Sequence, residues 1–412
     1  MAREKEPMIE KPAENCLIKF GDHSWGLTGP QLASIRLSGL AIADLADVMD
    51  AAFSEPVGFT RLDQAIVPGD TVALAVDPAL PAAVSVIAET CHWIVEHGTA
   101  PENVRAVMAA DNGLMEELER ELTRKGLKAV QLELHDPDDS QRVSYVAADD
   151  EAQPIYINRT LVDADVVVPI SSIRSGRAID YLGSFSSFPW FSNRETMARL
   201  LNYFRLIDNE TRARNQSQVQ QAAWWLGILI GVQVLPAAED RVAAIRCGLL
   251  EELESTCQRM LGESISGDWS AGSESELVIA VIDARYQDWT TVARGLHGAK
   301  QYCSQGGAIV LCTQLEQSVG SALRSLSKAE HRDRQRMEKR LSKEWSADAL
   351  MAGLLMDASQ DHHIYLVSRH RDQVIEELGM AVIADSKQLA SLVGQFSRGL
   401  VLHSAQHLQS SP

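Results

Sequence analysis

The stretch Ser171-Ser172-Ile173-Arg174-Ser175-Gly176-Arg177 follows an apolar, β-branched run that ends at Ile170. Arg174 and Arg177, set among small hydroxyl residues such as Ser172, could cradle a carboxylate, because a guanidinium fork meets two oxygens at once. The competing reading is that both arginines pair with Asp163, Asp165 or Asp180. Asp77 and Asp111 also follow apolar runs. Side by side, two such carboxylates could exchange protons or hold a hard cation, although aspartate is equally suited to capping the helix that follows. Tyr286, Asp288 and Arg294 form a third group that could face the same cleft. Arg294 could grip a carboxylate there, but it cannot donate its proton at neutral pH. The candidate ligand-binding set is thus Arg174, Arg177, Ser172, Tyr286 and Arg294. Asp111 and Asp77 are the candidate catalytic residues, and no metal ligands are expected.

These residues sit at the ends of elements that the hydrophobic pattern makes legible. Strands are expected at Thr71 to Val76, Val104 to Ala109, Ala129 to Leu134, Val166 to Ile170, Leu226 to Leu235, Leu277 to Asp283, Ala308 to Thr313 and His363 to Val367. Helical periodicity lies between them, at Ala82 to Glu96, Leu114 to Lys125, Arg194 to Phe204, Arg241 to Leu261 and Asp288 to Cys303. Strands alternating with helices at this spacing imply parallel sheets. Ligands of such sheets bind beyond the carboxyl ends of the strands, where the candidate residues lie. Gly262 to Glu276, rich in Gly, Ser and Glu, is the best linker. The expected architecture is α/β, with two domains, 1–265 and 266–412, each carrying a mainly parallel sheet flanked by helices, and a cleft between them. Residues 1–15 are read as a flexible lead.

Composition narrows the function further. The chain of 412 residues has 38 Lys plus Arg against 56 Asp plus Glu, a net charge of −18. Such a surface repels phosphate backbones, so nucleic acid is not an expected partner. The mixed-charge segment Lys328 to Lys343 reads as a solvated helix instead. The longest apolar run, Ala222 to Ala238, contains Gln233 and Pro236 and falls short of the ~20 residues that span a bilayer, so no membrane role is expected. The first residues have no apolar core of the secretory kind, and the six cysteines form no CxxC pair, which fits a reducing, cytoplasmic setting. No GxGxxG, Walker A, GxSxG or HExxH pattern is present. Asp361-His362-His363 and Cys91-His92 place neighbouring side chains on different faces, so they read as structural.

Several phrases, in order, resemble the nickel-pincer lactate racemase family. Glu55 to Pro81 resembles the family's run into a strand ending Asp-x-Thr-Arg-Pro. Val104 to Glu117 resembles its strand, Gly-x-His-Arg-Pro turn and acidic helix start. His135 to Ile173, with Pro154-Ile155-Tyr156-Ile157-Asn158-Arg159, resembles the approach to its second catalytic histidine, and Ile282 to Gly307 a later strand, tyrosine turn and lysine-bearing helix. The resemblance spans roughly residues 55 to 370. It implies a hydride-transfer racemisation of a 2-hydroxy acid. In that chemistry a lysine-tethered nickel-pincer nucleotide takes the hydride and two histidines handle the hydroxyl proton.

The matched positions depart from that chemistry. The family's Asp-x-Thr-Arg-Pro falls on Asp77-Pro78-Ala79-Leu80-Pro81, its first histidine on Asp111 and its second near Ser171 or Ser172. A family lysine falls on Arg294 if a two-residue deletion is allowed. The tether should lie in Asp180 to Phe191, which has no lysine. There is no lysine between Lys128 and Lys300, no histidine between His135 and His297, and no cysteine between Cys91 and Cys247. The resemblance therefore implies a lactate-racemase-like protein without the nickel cofactor that binds a small anionic, hydroxy-acid-like ligand or a partner. The alternative is a working racemase or epimerase, an isomerase of hydroxy or sugar acids, using Asp77, Asp111 and Arg174; a purely structural subunit is a third. Self-association is left open.

Overall fold

The computed structural model describes residues 16–29, 32–109, 113–149, 151–267, 274–327, 334–343, 346 and 348–408. The chain begins with β1 (Cys16–Phe20), β2 (His23–Leu27), β3 (Leu32–Leu37) and α1 (Leu45–Ser54). It continues through β4 (Val72–Val76), α2 (Ala83–Glu96), β5 (Val104–Met108), α3 (Leu114–Arg124), β6 (Gln131–Leu134), β7 (Val143–Ala148), β8 (Pro154–Asn158), α4 (Arg159–Asp163) and β9 (Val166–Ser172). Next come α5 (Arg194–Leu200), α6 (Tyr203–Leu206), α7 (Asn209–Trp225), β10 (Ile230–Ala237), β11 (Arg241–Leu249), α8 (Leu250–Glu263) and β12 (Ile265–Gly267). The remainder is β13 (Ser275–Val281), α9 (Trp289–Lys300), β14 (Cys303–Cys312), α10 (Ser321–Ser327), α11 (Arg334–Leu341), α12 (Ala349–Asp361), β15 (His363–Val367), α13 (Asp372–Glu377), β16 (Ala381–Val382), α14 (Ser386–Val393) and β17 (Gly399–Leu402).

Two large sheets result. The first has the order β11-β10-β9-β4-β5-β6 and the second β12-β3-β17-β13-β14-β15-β16. Every neighbour within them is parallel except β10–β11 and β12–β3. The central strands read Val-Ala-Leu-Ala-Val in β4 and Leu-Val-Ile-Ala-Val in β13, and they are buried. A continuous apolar run is what a parallel strand covered on both faces requires. The expected α/β architecture with two mainly parallel sheets is therefore present.

Two expectations change. Arg241 to Leu261 is not one helix: Arg241 to Leu249 forms β11, antiparallel to β10, and α8 starts at Leu250. The hairpin turn at Glu239 and Asp240 takes φ of 61° and 54°. A left-handed pair suits the twist of a tight hairpin, and it carries Val242, Ile245 and Cys247 into the core beside the sheet. The division at 265 also does not follow the sheets. β3 pairs with β17 in the second sheet, and Ile18, Phe20 and Leu27 of the first hairpin share a core with Leu277, Ile279 and Val401. The start of the described chain thus covers what would be an open sheet edge at β17. Residues 268–273 of the expected linker, 328–333 of the mixed-charge segment and 1–15 lie outside the described residues. Arg334 and Glu338 of that segment form an i,i+4 pair.

The strand orders explain where a site must be. In the first sheet the chain builds outward from β4 to β5 and β6, then returns to place β9 on the other side of β4. In the second it builds from β13 to β14, β15 and β16, then returns to place β17 on the other side of β13. The carboxyl ends of β4/β9 and β13/β17 are therefore the two topological switch points, where crevices open in such sheets.

The turn after β17 docks closely on α9. A Cβ at Gly298 would lie 2.3 Å from the Leu408 carbonyl oxygen, so this backbone contact requires glycine there. Gly262 in α8 faces open space. The same substitution should therefore act with opposite signs in urea denaturation. Gly298→Ala should destabilise the protein by ~1–3 kcal/mol through overpacking, and Gly262→Ala should stabilise it by up to ~1 kcal/mol through helix propensity.

Candidate functional site

The two switch points face each other and enclose one pocket. From the first sheet it takes Asp77 directly after β4, Arg174 directly after β9, and Met108 at the end of β5. From the second it takes Tyr286 after β13, Arg294 on α9, and Gln406 and His407 after β17. Its internal volume is about 40 Å³, and at ~10–15 Å³ per water-sized occupant that is about three such occupants. It shares Ala83, Asp240, Ala284 and Tyr286 with a wider groove of about 1080 Å³ that leads outward between the sheets.

A buried chain of charges forms the floor. Arg174 Nη2 donates to Asp77 Oδ1, while Arg174 Nη1 lies 3.9 Å from Asp180 Oδ2. Arg294 donates to the same Asp180 oxygen from Nε at 2.9 Å and from Nη2 at 2.7 Å. All four side chains are nearly inaccessible to solvent. Burial alone pushes the Asp180 carboxyl up, but Arg294 and then Arg174 outweigh it and hold it well below the usual carboxylate range. The Asp180 charge in turn overrides the burial that would lower Arg294, and raises it. Two buried guanidiniums are thus balanced by two buried carboxylates.

Asp77 is fully engaged. Its Oδ1 also accepts from Ala79 N at 2.9 Å, and its Oδ2 accepts from Ser172 N at 3.2 Å. Both oxygens are fixed, so the side chain orients Arg174 and the turn after β4. The guanidiniums retain capacity. Arg294 commits only Nε and Nη2 to Asp180, and Arg174 Nε is buried with no partner among the described residues. The 14-residue helix α2 begins at Ala83 on the pocket wall and has no side-chain cap. Its first amides and dipole favour an anion there. Arg294 lies on α9, which is capped by Asp288: Oδ1 accepts from Thr291 N at 2.7 Å.

Three further groups around the pocket have shifted protonation. Burial, followed by Arg294 and Arg174, lowers the His407 imidazole to about 3, so it is neutral. Burial, with a further push from Asp283, raises the Asp240 carboxyl to about 7. The Tyr286 hydroxyl donates to Glu117 of α3, linking the two halves; burial and that carboxylate raise the phenol.

The structure thus brings together Asp77, Arg174, Tyr286 and Arg294. It does not bring Arg177, which is exposed and offers only its carbonyl oxygen to His297. Nor does it bring Ser172, whose side chain turns back to the Ile173 carbonyl beneath the pocket. After Arg174 the chain turns away from the cleft, which carries the second arginine to the surface. Asp111 lies outside the described residues. Asp288 is a helix cap. His407, Gln406 and Asp240 were not singled out in the sequence. The signal for the first two was the Gly-Leu-Val-Leu run of β17, short but fully buried. No metal-binding group of three or more His, Cys, Asp or Glu exists among the described residues. The segment Asp180 to Phe191 is an aromatic plug: Phe185, Phe188 and Phe191 are at most 2% exposed in the core between the sheets.

Residues 34–197 match the family model for the lactate racemase N-terminal domain. The whole fold is similar to the lactate racemase apoprotein from Thermoanaerobacterium thermosaccharolyticum, with a TM-score of 0.77 at 14% identity, over 96% of this chain and 99% of that one. A structural-genomics protein from Thermotoga maritima is similar with a TM-score of 0.62 at 12% identity, over 85% of this chain and 95% of that one. No curated protein sequence matches the chain. No described helix is long and apolar enough to cross a membrane.

Two measurements check the electrostatics. Asp180→Asn leaves two buried guanidiniums without their shared carboxylate and should cost ~3–5 kcal/mol in urea denaturation. His407 titrates near 6.5 when unfolded and near 3 when folded. Between these values the unfolded state binds the extra proton, so stability should fall as the pH drops from about 6.5 toward 3. His407→Gln should remove about one proton from that dependence, measured as the slope of unfolding free energy against pH.

Proposed function

We propose that this chain, whose residues 34–197 match the lactate racemase N-terminal domain, binds a small carboxylate, hydroxy-acid-like, in the pocket between its two sheets, without the nickel-pincer cofactor. The observation that carries this reading is the convergence of Arg174 and Arg294, one from each half, with the uncapped start of α2 on a single small pocket. Donors on both walls suit a carboxylate, which accepts from two directions. The pocket volume suits an acid of two or three carbons better than a sugar acid, which would have to extend into the outer groove.

Absence of the cofactor from the working protein is supported by what fills its expected place. Where the resemblance puts the tethering lysine, phenylalanines pack into the core. The pocket wall has one imidazole, His407, and no lysine or cysteine among the described residues. We read Asp77 as a positioning group, because its oxygens already accept from Arg174, Ala79 and Ser172.

Isothermal titration of the purified protein with small acids, alongside metal analysis, tests the proposal. At least one acid of this size should bind. Arg294→Lys, which keeps the charge opposite Asp180 but loses the fork, should weaken it by ~1.5–3 kcal/mol, and Arg177→Ala should leave it unchanged. Nickel should be substoichiometric. Stoichiometric nickel, or no binding by any small acid, would overturn the reading.

A further inference from the structure

We propose that Gln406, on the turn after β17, selects a carboxylic acid that carries a hydroxyl group over one that carries a carbonyl in its place. This rests on the carboxylate-binding reading above and assigns its specificity to a residue outside the arginine pair.

Gln406 is 5% exposed and lines the pocket. Its Nε2 donates to Asp283 Oδ1 at 2.7 Å. That bond fixes which way the amide points, because the flipped amide would press its oxygen against a carboxylate. Asp283 is itself held by Ser404 Oγ at 2.6 Å and Glu239 N at 2.8 Å. Gln406 Oε1 is therefore a committed acceptor, and it is buried with no partner among the described residues. A buried acceptor without a donor is costly, so the pocket favours an occupant that supplies one.

A hydroxyl on the ligand supplies that donor, and His407 beside it is neutral. A neutral imidazole has one donor and one acceptor nitrogen, so it tolerates either partner. The selective element is Gln406. A carbonyl in place of the hydroxyl would set two acceptors against each other and leave Gln406 Oε1 unsatisfied.

The turn is built to hold this aim. Ser404 adopts a left-handed φ of 55°, a conformation that a non-glycine residue keeps only when its surroundings enforce it. Here they do: His403 N donates to Ile35 O at 2.9 Å, and Ala405 N donates to Val281 O at 2.8 Å. The glycine contact at Gly298 locks the far end of the turn.

The test is calorimetric titration of the full chain with D-lactate, L-lactate, pyruvate and propionate. At least one lactate enantiomer should bind about tenfold or more tightly than pyruvate or propionate, the loss expected for leaving a buried acceptor unpaired. Gln406→Met, with its melting curve recorded, should bring lactate to within about threefold of pyruvate by weakening lactate alone. The wild-type ratio tests the selection itself even if that variant fails to fold. Equal binding of lactate and pyruvate would overturn the selection while leaving carboxylate binding intact; no binding by any of the four would remove the reading beneath it.

Discussion

The relay Asp77–Arg174–Asp180–Arg294 is the constraint on which the site depends. It begins at the carboxyl end of a central strand in one sheet and ends on a helix of the other half. Buried charges of this kind add little net stability compared with apolar packing, but removing one partner is expensive. Their effect is on geometry. Asp180 and Arg294 come from different halves, so their link sets the register of one switch point against the other, while Asp77 and Arg174 fix the first switch point. Tyr286 and Arg285 reaching Glu117 repeat this across the mouth.

Around that register the hydrophobic core does the bulk work. The largest apolar cluster runs continuously from Ala73 and Val107 beside the first sheet, through Phe185, Phe188 and Phe191, to Ile309 and Leu311 of the second. The aromatic segment between β9 and α5 is the mortar between the halves. Its position matters functionally, because the resemblance places cofactor attachment there, and this chain uses that length of backbone for packing. The pocket itself is floored by compensated charges, and Tyr286 and His407 are the rings in its lining.

Much of this was legible beforehand, for identifiable reasons. Parallel strands buried on both faces leave continuous apolar runs, so Val72–Val76, Val104–Met108 and His363–Val367 were readable nearly to the residue. The rule that ligands sit beyond strand ends then pointed to Asp77 and Arg174, and the resemblance, which places a lysine there, pointed to Arg294. The misreadings have equally physical causes. β11 follows its partner through a three-residue turn, Ala238 to Asp240, whose left-handed residues are Glu239 and Asp240 and not the glycine that normally advertises one. α7 is polar from Asn209 to Gln218 apart from Ala213 and shows no apolar stripe. β17 is only Gly399 to Leu402, too short to register as a strand by itself, and with it went the turn that carries Gln406 and His407. Arg177 looked equivalent to Arg174 because sequence spacing does not reveal that the chain turns outward between them.

A crystal structure of the protein grown with lactate tests the central claim most directly. The account predicts a carboxylate in the inner pocket, within hydrogen-bond distance of guanidinium donors from both Arg174 and Arg294, with the Asp180 contacts preserved. Lactate seated only in the outer groove, or an inner pocket occupied by water alone at saturating lactate, would contradict it.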